Sequence, residues 1–153
     1  MRTILPQILS ERAAGRDCVL VSLIADSGSA PRGKGSLMLV GAQGRIAGTV
    51  GGGAIERHCE NMGKTLTAER RSDIHEFILR ANKTEDIGMI CGGDVTAQFQ
   101  FIPAESPLWD EVLRIAQERT AARAHGWLIL REDGSTPTLA ADGQCLAGEN
   151  LSA

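Results

Sequence analysis

The sequence predicts an α/β fold in which a mixed β-sheet is flanked by helices, with glycine-rich loops at the strand ends. Apolar residues recur at helical spacing in three segments, whereas other segments show continuous apolar runs or two-residue alternation. Eighteen glycines interrupt these patterns, and nine of them lie within residues 28–53. Because helices and strands interleave along 153 residues, we expect a single domain covering residues 1–153.

Composition excludes several classes of function. The formal net charge is −3, from 16 basic and 19 acidic residues, so the chain lacks the basic surface that nucleic acids require. Aromatic residues make up 3% of the chain, too few for a base-stacking platform. No apolar run approaches the roughly 20 residues of a membrane span, and the N-terminus lacks a signal-peptide core. We therefore predict a cytoplasmic protein with neither nucleic acid nor membrane as a partner.

The first half of the chain predicts two helices around three strands. Apolar spacing from Ile4 to Ala13 predicts a helix that ends near Gly15. The apolar run 18–26 is typical of a buried strand, and two strands follow at 37–40 and 45–49 around a Gly-Ala-Gln-Gly turn. Ile55, Cys59, Met62 and Leu66 then predict a second helix directly after three consecutive glycines.

The second half predicts further strands and one well-capped helix. Residues 74–79 indicate a short strand, and residues 80–93 form a long polar loop. Residues 95–101 alternate apolar and polar side chains, with Gln98 and Gln100 among the polar ones, which predicts a strand buried on one face. Ser106 and Pro107 are typical of an N-cap and first helical residue. Residues 127–130 predict another strand.

The second half also contains a faint repeat of the first. Residues 19–48 run from a strand through Gly-Ser-x-Pro to a second strand, a turn and Ala-Gly. Residues 127–148 follow the same order, with Gly-Ser-Thr-Pro at 134–137 and Ala-Gly at 147–148. The repeat indicates either a duplicated β unit or the general frequency of Gly-Ser-x-Pro in turns, which is the commoner explanation.

The loop at residues 28–35 has the first seven positions of a phosphate-binding P-loop, but a strand follows it where that motif opens a helix. We therefore reject a function as a nucleoside triphosphatase. The loop still presents Ser29, Arg32 and Gly35 at a strand end, and Arg32 can hold an anion through two hydrogen bonds. The alternative for such a loop is a solvated turn, which we favour for Lys34.

Gly51, Gly52 and Gly53 join a strand to a helix, so the unpaired N–H groups of that helix face a loop that a ligand can approach closely. The dinucleotide-binding pattern fails because Glu56 stands where its third glycine would be. Glu56 has two equally weighted interpretations. It either caps its own helix or accepts hydrogen bonds from an amino-pyrimidine ring.

Cys91, Gly92 and Gly93 close the long polar loop. The glycine N–H groups after Cys91 can stabilise a thiolate, and glycines offer little packing for a core cysteine. We therefore predict that Cys91 is the functional thiol. Cys18, Cys59 and Cys145 fall in predicted strands or on an apolar helix stripe and are expected to be core residues.

Three motifs in this order resemble the XdhC/CoxI family. They are Ser29-Ala-Pro-Arg32-x-x-Gly35-Ser36-x-Met-Leu-Val40, Gly48-Thr-Val-Gly-Gly-Gly-Ala-Ile-Glu56 and Gly88-Met-Ile-Cys-Gly-Gly-Asp-Val95. Members of this family are accessory proteins that mature xanthine dehydrogenase and related molybdenum hydroxylases. Ser36 stands where the family usually has alanine, and the Rossmann-like C-terminal domain of longer members is expected to be absent.

The resemblance implies a chaperone, not an enzyme, that transiently binds molybdenum cofactor (molybdopterin) and delivers it to the apo-enzyme. Its implied partners are an apo xanthine dehydrogenase or related hydroxylase and a cysteine desulfurase, and we also expect a homodimer. The predicted cofactor-binding residues are Ser29, Arg32, Gly35, Gly51, Gly52, Gly53, Glu56, Cys91, Gly92 and Gly93, with Cys91 also as metal ligand. A soft thiolate suits a molybdenum–dithiolene centre.

Two other functions remain open at this point. The first is a sulfur carrier or transferase that uses Cys91 as nucleophile. The second is an interaction subunit whose glycine loops only shape a surface. Bound pterin would distinguish the chaperone from both, and a persulfide on Cys91 would indicate the carrier.

Overall fold

The computed structural model describes residues 1, 3–27, 34–78, 94–131, 133–134, 137–142 and 144–148. Three helices and eight strands are described. In chain order they are α1 (Leu5–Ala13), β1 (Cys18–Ser27), β2 (Leu37–Gly41), β3 (Gly44–Gly48), α2 (Gly53–Glu69), β4 (Asp73–Ile78), β5 (Asp94–Ile102), α3 (Pro107–Ala121), β6 (Trp127–Ile129), β7 (Thr138–Ala141) and β8 (Gln144–Ala147). No helix among these residues is long and apolar enough to cross a membrane.

The strands form a five-stranded sheet in the order β3-β2-β1-β5-β4 and a three-stranded sheet in the order β6-β7-β8. The predicted α/β class, with a sheet flanked by helices, is confirmed. Within the described residues every strand pair is antiparallel, so no parallel pair of the kind expected in a mixed sheet occurs. The connection through α2 does not produce a parallel pair, because β4 lies at the edge of the sheet beside β5 and is antiparallel to it.

Strand β1 lies at the centre of the large sheet and is buried on both faces. Val19, Val21 and Leu23 contribute to one apolar cluster, which α2 covers with Ile55, Cys59 and Leu66. The intervening residues Cys18 and Leu20 contribute to a second cluster. That second cluster also contains apolar side chains of α1, α3 and the small sheet: Ile4, Leu5, Ile8, Trp109, Val112, Leu113, Leu139 and Ala147. The strand predicted at 18–26 is thus confirmed, but its burial ends at Leu23, because Ile24 is partly buried and Ala25 is exposed.

Strand β5 corrects the prediction of one-face burial. Its polar residues Gln98 and Gln100 are only 5% and 2% exposed. The segment before β7 covers them: Gln98 Nε2 donates to Arg131 O at 2.7 Å and Gln100 Nε2 donates to Gly134 O at 3.3 Å. The polar face of β5 is therefore buried instead of facing solvent. Its glutamine amides donate hydrogen bonds to the backbone that covers them.

Helices α2 and α3 begin as the sequence predicts. Ser106 Oγ accepts a hydrogen bond from Trp109 N at 3.3 Å and caps α3, with Pro107 as its first residue. Helix α2 begins at Gly53 with Gly52 as N-cap. Inside α2, a Cβ on Gly63 would lie 2.9 Å from Val40 Cβ, so this glycine lets the helix approach the sheet closely.

The three strands β6, β7 and β8 repeat the arrangement of β1, β2 and β3. Each set is an antiparallel meander, and the pairs Leu39↔Ala47 and Leu139↔Ala147 have equivalent registers. Both registers shift at the next pair, directly after Leu39 and after Leu139. The repeat detected in the sequence therefore corresponds to two structurally equivalent meanders and not merely to similar turns.

Gly48 provides a test of the backbone constraint at the end of the first meander. Its φ is +75°, and a Cβ there would lie 2.2 Å from Leu37 O. Gly15 has a similar φ of +69° but open space around it. We expect Gly15→Ala to cost about 1–2 kcal/mol from the left-handed backbone alone. Gly48→Ala should cost clearly more, because the strand must also move away, and thermal unfolding of both variants measures the difference. Equal losses would show that the contact with Leu37 is easily relieved.

Candidate functional site

The strand registers fix where the glycine-rich segments leave and enter the large sheet. Ser27, at the end of β1, is the partner of Asp94, at the start of β5, and Asp94 is also the partner of Ile78, at the end of β4. Met38, near the start of β2, is the partner of Gly48 at the end of β3 and of Val21, six residues before the end of β1. Residues 28–33 and 79–93 therefore follow or precede strand ends at Ser27, Ile78 and Asp94, whereas residues 49–52 leave β3 level with Val21.

Five of the predicted site residues lie outside the described residues. These are Ser29, Arg32, Cys91, Gly92 and Gly93. The flanking strand ends fix only where their segments leave and enter the sheet. The predicted single cleft around all three glycine motifs stays a prediction.

Gly35 is the predicted site residue of the first motif that lies within the described residues. Its N–H donates to Leu23 O at 2.9 Å, and Leu23 N in turn donates to Ser36 O at 3.1 Å. An open cleft of about 440 Å³ lies beside it. The lining consists mainly of polar groups of the first two motifs and of the start of the chain: Met1, Thr3, Ile4, Lys34, Gly35, Ser36, Leu37, Gly48 and Thr49. The described parts of the first and second glycine motifs therefore meet in one cleft.

The glycine triplet holds its backbone in conformations that favour glycine. The φ angles of Gly51, Gly52 and Gly53 are +131°, +76° and +63°. Gly52 has nothing within 4 Å of the position where a Cβ would stand, so its backbone borders open space. A ligand can therefore approach the chain at Gly52 without displacing any described atom.

Glu56 lies at the centre of a hydrogen-bond network at the start of α2. One oxygen, Oε1, contacts Arg45 Nη1 at 2.6 Å. The other, Oε2, accepts from Thr49 Oγ1 and from Gly52 N at 3.1 Å. Of the two interpretations of Glu56, the capping contact is thus present in the structure, and it joins β3, the glycine triplet and α2.

These contacts also affect the ionisation of Glu56. Partial burial acts to raise its pKa, but the hydrogen bonds from Thr49 and Gly52 and the charge of Arg45 together hold the pKa below its usual value of 4.5. The carboxylate is therefore charged at neutral pH. It compensates the positive end of the α2 dipole with a group of the chain itself.

Sequence reasoning missed Arg45 and Thr49, and it assigned Lys34 to a solvated turn. Arg45 pairs with Val40 across the hairpin, on the face of the sheet that α2 covers, so its side chain reaches the acidic face of α2. The 11-residue separation of Arg45 and Glu56 has no local signature. Lys34 lines the cleft beside Gly35, a position that depends on the pairing of β1 and β2.

Two of the three described thiols are core residues as predicted, and Cys145 is not. Cys18 and Cys59 are fully buried, and burial raises the pKa of each thiol to about 12. Both are therefore uncharged and poor nucleophiles at neutral pH. Cys145 is only partly buried. His58 is exposed beside buried Cys59, so the two side chains point apart.

A second cavity of about 540 Å³ lies at the opposite end of the sheet, around the turn between β2 and β3. None of the sequence-predicted site residues lines it. Within the described part of the chain, no cluster of three His, Cys, Asp or Glu residues is arranged to hold a metal. The chemistry of the described site is thus that of backbone N–H groups, hydroxyls and Lys34.

Residues 11–79 match the family model described as the XdhC and CoxI family. This match confirms the resemblance predicted from the sequence. The matched segment extends from α1 through β4 and includes the first two glycine motifs.

A curated relative supports this assignment, and a solved structure shares the fold. The molybdenum cofactor insertion chaperone PaoD of Escherichia coli K12 is 30% identical over 123 residues, covering 77% of this chain and 37% of the relative. A crystal structure of a xanthine dehydrogenase from Bacillus halodurans is 13% identical with a TM-score of 0.68, covering 98% of this chain and 46% of that chain. That structural likeness shows the fold alone. The chain thus spans less than half the length of each.

The Glu56 network generates a prediction of pH dependence. Because its folded-state pKa is lowered, Glu56 contributes stability that is fully present above its usual pKa of 4.5 and is lost as the pH falls through the folded value. We expect Glu56→Gln to lower the melting temperature at pH 7. The difference in melting temperature between this variant and the parent chain should become smaller as the pH falls toward 3. Glu69→Gln, on the exposed end of α2, is the matched control. A gap that does not depend on pH would contradict an ionised network.

Proposed function

We propose that this chain binds molybdenum cofactor at the glycine-rich end of its large sheet and acts as an accessory protein for a molybdenum enzyme. The observation that carries the proposal is that described residues of the first two glycine motifs line one cleft. The match to the XdhC and CoxI family supports it. The relative PaoD is a molybdenum cofactor insertion chaperone, which also supports the proposal and favours an accessory protein over an enzyme.

The described residues fit the anionic end of such a cofactor. A phosphate requires hydrogen-bond donors and a cation, and the cleft beside Gly35 offers Lys34 and the hydroxyl groups of Ser36 and Thr49. Gly52 does not line this cleft, but its backbone borders open space. Ser29 and Arg32 would extend this donor set from the first motif. Glu56 would act by holding the triplet in place, because both of its oxygens already have partners.

The thiol end of the proposed site is Cys91, which the third motif would supply together with the N–H groups of Gly92 and Gly93. When bound, the cofactor supplies a molybdenum–dithiolene centre, for which a thiolate is a better ligand than an oxygen. Cys18 and Cys59 are unsuited to that role, since their thiols are buried and have a pKa of about 12.

The proposed client is a xanthine dehydrogenase or related molybdenum hydroxylase in the cytoplasm, with a cysteine desulfurase as the sulfur donor. A homodimer would shield the cofactor further. The direct test is to purify the chain from cells that make molybdenum cofactor and to measure oxidised pterin by fluorescence and molybdenum by mass spectrometry. Stoichiometric pterin supports the proposal. Persulfide on Cys91 without pterin supports a sulfur carrier, and the lack of both leaves an interaction subunit.

Gly52→Ala should reduce bound pterin at least tenfold. A methyl group there would project into the open space through which a ligand reaches the backbone. Gly15→Ala is a matched control, since Gly15 has a similar φ and also borders open space but lies at the other end of β1. Gly52 combines φ +76° with ψ −177°, a conformation that only glycine adopts readily, so we expect Gly52→Ala to lower the melting temperature somewhat more than Gly15→Ala. Loss of pterin, measured well below both melting temperatures, is expected only for Gly52→Ala. Equal retention of pterin would show that the ligand does not approach Gly52.

Cys91→Ser should retain the fold but lose most of the bound molybdenum, because serine keeps the size and loses the soft donor. Cys59→Ser should behave in the opposite way. It places a hydroxyl in the apolar cluster under α2 at a cost of about 1–3 kcal/mol and leaves the site intact. Melting temperatures and metal content of both variants provide the comparison. Normal molybdenum content in Cys91→Ser would exclude this thiol as a ligand.

A further inference from the structure

The second glycine motif already holds an anionic group of the chain itself, the carboxylate of Glu56. Its Oε2 accepts from the hydroxyl of Thr49 and from Gly52 N, the latter at 3.1 Å. A ligand can approach both donors, because Thr49 lines the cleft beside Gly35 and Gly52 borders open space. Glu56 therefore occupies donors that a phosphate at this motif would use.

A carboxylate and a phosphate are chemically similar acceptors. Each carries negative charge on oxygen and forms short, strong hydrogen bonds with N–H and O–H donors. Although partial burial acts to raise the pKa of Glu56, its hydrogen bonds and the charge of Arg45 hold that pKa below the usual 4.5, so the carboxylate is charged at neutral pH. Because Glu56 belongs to the first turn of α2, it competes with a dissolved ligand at high effective concentration.

The hydroxyl of Thr49 shows what this competition costs a ligand in the cleft. Thr49 Oγ1 donates to Glu56 Oε2 and accepts from Gly51 N at 3.3 Å. A hydroxyl has one proton, so Thr49 presents only a lone pair to the cleft while Glu56 holds that proton. An anion cannot use a lone pair. Thr49 becomes a donor for an anionic ligand only when Oε2 withdraws.

The two oxygens of Glu56 have different partners, so the carboxylate can leave the glycine motif without losing its counter-ion. Oε1 contacts Arg45 Nη1 at 2.6 Å, and the side chain of Arg45 is 45% exposed. Arg45 N donates to Glu60 Oε1 at 3.2 Å, which holds the backbone of β3 in place while the guanidinium moves. Withdrawal of Oε2 thus frees the hydroxyl of Thr49 and Gly52 N and keeps the ion pair intact.

We propose, on the basis of the proposed function, that Glu56 is an internal competitor of the ligand's phosphate group and thereby sets its affinity. In the unliganded chain, Oε2 holds Gly52 N and the hydroxyl of Thr49. A phosphate that reaches the cleft beside Lys34 gains these two donors only in exchange for Oε2, which withdraws together with Arg45. The exchange keeps the affinity below that of an open glycine motif.

Glu56→Gln separates this role from that of a residue that only holds the motif in place. The substitution lowers stability at neutral pH, yet we expect it to lower the Kd for inorganic phosphate at least about fivefold, because a neutral amide competes less well for the two donors. A purely positioning role predicts weaker phosphate binding as well as lower stability. The measurement is a titration of the 15N-labelled chain with inorganic phosphate at pH 7 and constant ionic strength, well below both melting temperatures.

Glu60→Gln is the matched control for charge. Glu60 lies one turn after Glu56 on α2 and accepts from Arg45 N. Its loss removes the same charge but leaves the contact of Glu56 with the glycine motif, so the Kd should change less than about twofold at moderate salt. The amide signal of Gly52 should move on phosphate addition to Glu56→Gln, because its N–H then has a new acceptor. Adding Thr49→Val to Glu56→Gln should remove most of the gain.

Three results would overturn the proposal: phosphate binding by Glu56→Gln that is equal to or weaker than that of the parent chain, an equal gain in Glu60→Gln, or binding that leaves the amide of Gly52 unchanged. The proposed function is tested separately by the pterin content of the parent chain. Bound pterin together with any of these three results would leave cofactor binding standing and exclude Glu56 as its competitor.

Discussion

The whole arrangement depends on the two-sided burial of β1. Val19 and Val21 must meet α2, and Cys18 and Leu20 must meet the opposite cluster. A slip of one residue would exchange these two sets, so the registers of β1 with β2 and β5 are strongly fixed. Those registers pair the start of β5 with the end of β1 and the start of β2 with Ser22, five residues before that end. The strand ends that precede and follow the glycine-rich segments are thus set by core packing along a single strand.

The local elements could be predicted because their signals are local. Periodicity gave the helices, apolar runs gave β1, and Ser106 with Pro107 gave the start of α3. Strand order, register and the burial of Gln98 and Gln100 could not be predicted, because they depend on segments more than 30 residues away. The same limit applies to the site. The glycines were visible as motifs, but the contact of Arg45 with Glu56 depends on how α2 lies across the hairpin.

The two meanders show how one supersecondary unit can serve different purposes in a chain. The first is extended by β5 on one edge and covered by α2, so its strands become the centre of the molecule. In the second meander, β6 is a short strand at the edge of its sheet and carries the exposed side chain of Trp127. The backbone constraint at Gly48 and Gly148 is common to both, because a tight return beside the middle strand leaves no room for a Cβ in either. Both meanders also contribute to the same apolar cluster, through Leu39 and Leu139. Helix α2 covers the other face of the first meander, whereas Trp127 of the second is exposed.

Glu56 changes how the glycine end of the sheet can hold an anion. A helix N-terminus alone attracts anions through its dipole and unpaired N–H groups. In this chain the carboxylate of Glu56 already lies at that terminus and accepts from Gly52 N. An incoming phosphate must then depend on cations and loop N–H groups of neighbouring segments, among which Lys34 is a described member of the cleft. If several strand-end segments hold the phosphate together, displacement of any one of them weakens its binding. Under the proposed function, this dependence favours a carrier that releases its cofactor over one that retains it.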